Sequence, residues 1–284
     1  MSDNRRIYHT HISSKHRWYD LKIREVWQYR DLIILFTHRN FVLTFKQTIL
    51  GPIWIFLNPF LTSIVFSIVF GEIANIETGK TPSLLFYLCS NAVWAFFAEC
   101  VNKNTAIFVT NAHVFGKVYF PRMTVPISNT ISSAIRLGIQ MLMIAVFFVY
   151  YYVNGNIEPN WKAWWMVPIV LIQLGTLGMS IGILISSLTT KYRDLFIVVG
   201  FGISLLMYAT PVVYPLSQVE DGIIKTCVLL NPVTSVIEIF RYAVLGEGTI
   251  MLGYYFLSVM VTLFLAIGGL AVFSRVEKTF MDTV

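Results

Sequence analysis

Residues 163–190, AWWMVPIVLIQLGTLGMSIGILISSLTT, form an uncharged run that decides the fold of this chain. A helix rises 1.5 Å per residue, so roughly 20 apolar residues cross the ~30 Å hydrocarbon core of a bilayer. With 56% apolar and only 13% charged residues, the whole chain is suited to lipid as its solvent. Comparable runs lie at residues 47–71, 81–98, 123–158 (with Arg136 inside it), 195–219 and 249–274. The sequence therefore predicts an all-α integral membrane protein with six transmembrane helices.

Lysine and arginine residues predict the orientation of these helices. Six crossings put both termini on one side, and cytoplasmic loops carry an excess of Lys and Arg. With both termini in the cytoplasm, the inner segments hold 16 of these residues and the outer loops hold four. The net charge of +6 is therefore interpreted as a topology signal, and no nucleic-acid partner is expected.

Two segments differ from simple spans. Residues 20–46 place apolar side chains on about a third of a helical wheel, which predicts an amphipathic interface helix that serves either as an anchor or as a docking surface. Residues 214–248 contain two short apolar runs separated by Asn231-Pro232. Each run is too short to cross, which favours outer re-entrant helices over a cap resting on the bundle. The chain is thus divided into a cytoplasmic tail (1–19), the interface helix region (20–46), a six-helix transmembrane domain (47–274) and a cytoplasmic tail (275–284).

The sequence contains no pattern that predicts catalysis or metal binding. No histidine shares a predicted span with a carboxylate, and Cys89, Cys100 and Cys227 lack ligand-like spacing. Residues 74–81, ANIETGKT, match a loose phosphate-binding loop, but they lie in an outer hairpin without the strand and helix that this chemistry needs. Arg136 is the only charge placed near a midplane, so it should face protein or water. This scarcity of intramembrane charge disfavours an ion-coupled secondary transporter.

Two helical stripes stand out within the spans. Gly175, Gly178 and Gly182 recur on one face and predict close approach of another helix. Along the second span, Tyr87, Asn91 and Trp94 form an aromatic and amide stripe. This stripe either lines a channel or belongs to ordinary helix packing.

A set of ordered motifs resembles the permease subunits of polysaccharide ABC exporters. The set begins with Tyr29-Arg30-Asp31-Leu32 and FKQTILGPIW at residues 45–54, followed by Asn58-Pro59. Its later members are GKVYFPR at 116–122, KYRD at 191–194, TPVVYP at 210–215, Asn231-Pro232 and RVEKTFMD at 275–282. The form KQTILGP is most similar to O-antigen permeases, and capsule and teichoic-acid permeases are the related alternatives.

The resemblance implies a transport subunit of the inner membrane that is not itself an enzyme. It implies a homodimer bound to a separate nucleotide-binding ATPase, which would hold the ATP and Mg²⁺, so that no cofactor is expected on this chain. The implied substrate is O-antigen polysaccharide on a polyprenyl-pyrophosphate carrier, moved from cytoplasm to periplasm. An ATP-independent secondary transporter is the weaker alternative.

The residues also allow two site hypotheses on the inner side. Arg39 and Lys46 precede the first span at headgroup level, where they either recognise the pyrophosphate or only anchor the chain. Residues 113–122 form a short amphipathic stretch that predicts a coupling element for the ATPase or, alternatively, a plain surface turn. The residues assigned to coupling are Trp27 and Arg30 of the interface helix together with Lys117, Val118, Tyr119, Phe120 and Arg122.

Overall fold

The computed structural model describes residues 23–46, 49–115, 117–118, 120–189, 192 and 194–283, and in this part of the chain every regular element is a helix. Five helices are long and apolar enough to cross a membrane. The first, α3 (Ile53–Phe66), continues as a π-helix over Ser67–Ile73. The others are α4 (Ser83–Thr105), α7 (Thr124–Val153), α8 (Met166–Thr189) and α12 (Leu252–Thr283). The all-α membrane fold is therefore confirmed, and α12 extends beyond the predicted span to Thr283.

The predicted span over residues 195–219 is shorter in the structure. Helix α9 (Leu195–Tyr208) has 14 residues, which corresponds to about 21 Å and is less than the hydrocarbon core requires. The chain then turns through Thr210-Pro211 into a 3-10 helix at Leu216–Gln218. Val212 and Val213 are buried within the protein. The second half of this apolar run is therefore core and not a continuation of the helix.

The prediction of two short helices split at Asn231-Pro232 is confirmed. Helices α10 (Ile223–Leu230) and α11 (Pro232–Leu245) meet at a bend of 84°. The Asn231 side chain accepts a hydrogen bond from the Val233 N–H at 3.1 Å, and Pro232 occupies the first helical position, where it loses no hydrogen bond. A re-entrant path for this pair in the bilayer stays a prediction.

The predicted interface helix is broken near Tyr29 into α1 (Ile23–Gln28) and α2 (Arg30–Phe45). Helix α2 lies against the start of α7, where the Asn40 amide donates to Asn129 Oδ1 at 2.9 Å. Between α4 and α7 the chain forms two short helices, α5 (Ile107–Thr110) and α6 (Ala112–Phe115). The interface region is thus joined to the bundle by side-chain contacts.

Helix α4 forms the centre of the bundle and packs against α3, α7 and α8. The glycine stripe of α8 faces it: a Cβ added at Gly178 would lie 2.8 Å from Cys100 Cβ, and one added at Gly182 would lie 2.7 Å from the Val101 carbonyl oxygen. The predicted close approach of a neighbouring helix is therefore confirmed, because neither position has room for a side chain.

Candidate functional site

The bundle has two ends, which are named here by what lies there. The α2 side holds α2, the amino-terminal end of α7 and the carboxyl-terminal ends of α4 and α8, where Thr189 Oγ1 donates to the Thr105 carbonyl at 2.9 Å. The hairpin side holds residues 74–81, the start of α4 and the segment after α11. On this side Gln218 Nε2, from the 3-10 helix before α10, donates to the Glu77 carbonyl at 2.8 Å. Each side contains a cavity with charged residues.

The cavity on the α2 side has a volume of about 630 Å³, within the range of small-molecule sites. Arg39, Asn40 and Leu43 of α2 line it together with Asn102 and Lys103 of α4. Ala106, Thr110, Asn111, Asn129 and Phe196 complete the lining. Two cations and four asparagine side chains thus line the cavity, and no carboxylate is among the lining residues that the structure describes.

Asparagine side chains hold the cationic wall in place. The Arg39 Nη2 group donates to Asn40 Oδ1 and to Asn111 Oδ1, both at 3.3 Å, and the guanidinium stacks over the Phe36 ring with its carbon 4.7 Å from the centroid. The Arg39 Nε atom has no hydrogen-bond partner among the described residues. The guanidinium therefore keeps an N–H group with which an anion could pair.

An ion-pair network borders this cavity and accounts for Arg136. Glu99 Oε1 lies 2.6 Å from Lys103 Nζ and 3.2 Å from Arg136 Nη1, so one carboxylate holds two cations. Arg136 Nη2 also donates to Thr44 Oγ1 of α2 at 3.4 Å. Arg136 thus contacts polar groups of α4 and α2, and its position near a membrane midplane stays a prediction. With Arg39 included, this region holds three cations, Arg39, Lys103 and Arg136, and one carboxylate, Glu99. The excess of positive charge attracts anions.

The pyrophosphate hypothesis named two residues, and the structure places only one of them in the cavity. Arg39 lines it, whereas Lys46 caps the carboxyl end of α2 and is exposed. Lys103 also lines the cavity, although the pyrophosphate hypothesis did not include it. A signal existed, because Glu99 and Lys103 are four residues apart on one helix, but only the structure brings them next to α2.

Five aromatic rings join the predicted coupling segment to the bundle. Phe120 packs edge-on against Phe36 of α2 with ring centroids 5.6 Å apart, and it lies 5.8 Å from Phe115. Phe108 lies 6.0 Å from Phe115 and 5.2 Å from Phe273 of α12. These residues, called here the aromatic cluster, connect the segment with α2, α5 and α12.

The coupling residues divide into exposed and buried groups. Lys117 and Val118 are exposed, as are Trp27 and Arg30 of the interface region. Arg122 is buried with its guanidinium over the Phe115 ring, at 5.5 Å from the centroid. Phe120 is only 5% exposed because its ring packs into the aromatic cluster, and its assignment to coupling stays a prediction. Tyr119 lies outside the described residues.

The aromatic and amide stripe of the second span, one of whose predicted roles is to line a channel, is buried inside the protein. Tyr87, Asn91 and Trp94 are 0%, 8% and 4% exposed, and the Tyr87 hydroxyl donates to the Val213 carbonyl at 3.3 Å. This placement favours the helix-packing alternative. A channel role for the stripe stays a prediction.

The cavity on the hairpin side was missed because Glu238, Arg241 and Glu247 meet residues 78–79 and Phe86, which are distant from them in the sequence. Arg241 belongs to the predicted outer re-entrant segment, where it is 1% exposed and pairs with Glu238 inside the protein. Glu247 lies across from residues 74–81 and accepts a hydrogen bond from the Thr81 N–H at 2.9 Å. Residues 74–81, which match the loose phosphate-binding pattern, therefore donate hydrogen bonds to a carboxylate of the same chain.

The long apolar helices define a multi-pass membrane protein, and one end of its bundle carries a cavity lined by cations. Residues 31–245 match the family model described as ABC-2 type transporter, so the chain belongs to that family. It is similar to the O-antigen export system permease protein RfbA of Klebsiella pneumoniae, with 26% identity over 89% of this chain and 94% of that protein. A second such permease, from Myxococcus xanthus, is 26% identical over 77% of this chain and 82% of its own length.

Proposed function

We propose that this chain is the transmembrane permease of an ABC exporter that moves O-antigen polysaccharide, linked to a polyprenyl-pyrophosphate carrier, from cytoplasm to periplasm. The support comes from the family match, from relatives named as O-antigen export permeases, and from the cationic cavity on the α2 side. The charge distribution of the sequence supports a cytoplasmic position for the α2 side. The similarity to O-antigen export permeases supports a position in the inner membrane. Two copies of the chain form the permease.

The carrier headgroup binds in the cavity on the α2 side. A pyrophosphate carries several negatively charged oxygens, and Arg39 and Lys103 supply cationic donors from two different helices of the lining. Hydrogen bonds to charged groups contribute about 1.5–3 kcal/mol each. The asparagines of the lining donate further N–H groups, so the headgroup exchanges its water shell for protein donors.

A separate ATPase supplies the energy, because no part of this sequence has a nucleotide-binding pattern in a suitable structural context. The ATPase docks on the exposed residues of the α2 side, namely Lys117 and Val118 with Trp27 and Arg30. The aromatic cluster then transmits its movement. Phe120 contacts Phe36, and Phe36 stacks under Arg39, so a shift of residues 117–122 reaches the headgroup cavity through two contacts.

Headgroup binding is the first experiment. Purified protein in lipid nanodiscs is titrated with farnesyl pyrophosphate, and Arg39→Gln or Lys103→Gln is expected to weaken binding about 10- to 150-fold, as follows from the loss of one charge-assisted hydrogen bond. Lys46→Gln is the matched control, because this lysine caps α2, the helix that carries Arg39, but is exposed outside the cavity. Equal losses in all three variants would mean that only general surface charge is involved.

Transport is the second experiment. The permease is co-reconstituted with the ATPase subunit of the same transporter, and the ATP-dependent appearance of carrier-linked glycan in the vesicle lumen is measured. Export in the presence of ATP and its absence with a non-hydrolysable analogue are expected. ATP-independent movement would instead favour the secondary-transporter alternative.

A further inference from the structure

The cavity on the hairpin side has a volume of about 280 Å³ and a buried, charged floor. Phe86, Glu238 and Arg241 form this floor and are 2%, 3% and 1% exposed. Exposed residues, Ser217 and Thr249 among them, form its rim. A buried ion pair thus lies at the bottom of a recess that opens at the protein surface.

The floor keeps unused hydrogen-bond donors. Arg241 Nη2 donates to the Pro211 carbonyl at 2.7 Å and to Glu238, and its guanidinium stacks over Phe86 at 4.5 Å from the centroid. Arg241 Nε and Nη1, however, have no hydrogen-bond partner among the described residues. Buried donors without partners are rare in folded proteins and call for an explanation.

The acceptors around the recess are carboxylates that already hold the backbone. Glu238 Oε2 accepts from the Thr249 N–H at 3.0 Å, and Glu247 Oε1 accepts from the N–H groups of Lys80 and Thr81. A carboxylate has about four acceptor positions, so each of these two groups keeps capacity for another donor.

The charges of the lining select the class of ligand. Two carboxylates and one guanidinium leave the recess with net negative charge, which disfavours phosphate and acidic sugars. A hydroxyl group both donates and accepts, so a ligand with several hydroxyls can satisfy the Arg241 donors and the carboxylates together. The volume is near the lower limit of small-molecule sites at about 300 Å³, which corresponds to one small ligand.

We propose that this recess binds one neutral sugar unit of the glycan on the hairpin side of the membrane. The proposal rests on the proposed function, because glycan export is what brings sugar units to this end of the bundle. Recognition of a single hydroxyl-rich unit at the exit side would hold the chain between transport steps without a strong electrostatic trap.

Protection of a rim cysteine tests the proposal. In a Cys227→Ser background, which removes the exposed native thiol, Ser217→Cys is labelled with an aqueous maleimide in nanodiscs. D-glucose at ten times its dissociation constant is expected to slow this labelling about tenfold. The labelling rate falls by a factor of one plus the ratio of the glucose concentration to its dissociation constant. Inorganic phosphate and D-glucuronate are expected to protect less.

Glu220→Cys is the matched control, because Glu220 is exposed on the same segment but does not line the recess. Its labelling should not change with any of the three probes. Equal protection at both positions, equal protection by phosphate, or no protection by D-glucose up to the concentration at which the control begins to slow would each overturn the proposal.

A blocking variant separates this proposal from the proposed function. Ser217→Trp fills the rim without altering the ion pair of the floor, and it is expected to lower the rate of glycan export, whereas Glu220→Trp should leave it unchanged. Normal export by Ser217→Trp would remove the sugar site and leave the exporter intact. Absence of export by the unmodified chain would instead refute the proposed function.

Discussion

The contact between α4 and α8 allows a prediction with a magnitude taken from the structure. In Gly182→Ala, the new Cβ would lie 2.5 Å from Asn104 Cβ and 2.7 Å from the Val101 carbonyl oxygen. Real Cβ contacts are longer than 3.0 Å, and the carbonyl belongs to a helix backbone that cannot turn aside. The two helices must therefore separate by several tenths of an ångström.

The expected cost is that of overpacking a well-packed core, about 1–3 kcal/mol. It should appear as a lower thermal midpoint of the protein in detergent, measured by loss of the monodisperse peak. The change should also reach the cavity on the α2 side, because Asn104 Oδ1 accepts from Asn129 Nδ2 at 3.4 Å and Asn129 lines that cavity. Weaker binding of farnesyl pyrophosphate is thus expected even at temperatures where the variant is folded.

Gly138→Ala is the control. Gly138 lies inside α7, and a Cβ added there meets no atom within 4 Å. Alanine has the higher helix propensity, so this variant should be neutral or more stable by about 0.5–1 kcal/mol. A Gly182→Ala protein as stable as the Gly138→Ala protein would refute the close packing of α4 and α8 described above.

Three further predictions concern the two ends of the bundle. Phe120→Ala should lower the thermal midpoint, in line with a loss of about 3–5 kcal/mol of stability, and should reduce the export per ATP hydrolysed. Val118→Ala should keep the thermal midpoint and weaken co-purification with the ATPase. The opposite pattern would place the docking anchor at Phe120. Glu99→Gln should destabilise the protein, because Arg136 and Lys103 lose their shared carboxylate. The further substitution Arg136→Gln should lower the stability less in the Glu99→Gln protein than in the unmodified protein, and a double-mutant cycle measures this difference. Glu247→Gln should increase hydrogen exchange at the backbone N–H groups of residues 80 and 81, and unchanged exchange there would show that the carboxylate does not hold this hairpin.

The sequence by itself determined the class of fold and most of the helices. Lipid leaves an apolar helix as the simplest spanning element, so length and hydropathy alone located α3, α4, α7, α8 and α12. Asn231-Pro232 marked the break between α10 and α11 because capping and loss of an N–H are local effects. The glycine stripe of α8 was recognisable from helical spacing, since only a close neighbour makes small residues useful at such positions.

Only the tertiary structure decided which side chains meet and which face outward. Hydropathy does not distinguish lipid from protein interior, so the run at residues 195–219 was predicted as one span although its second half is core. Within the predicted coupling segment, hydropathy likewise does not show that Phe120 is buried in the aromatic cluster while Val118 is exposed. The two cavities depend on contacts between residues distant in sequence, such as Arg39 with Asn111 and Glu247 with Thr81. Charge–charge and hydrogen-bond energies depend on distances in space, and these distances exist only once the helices have packed.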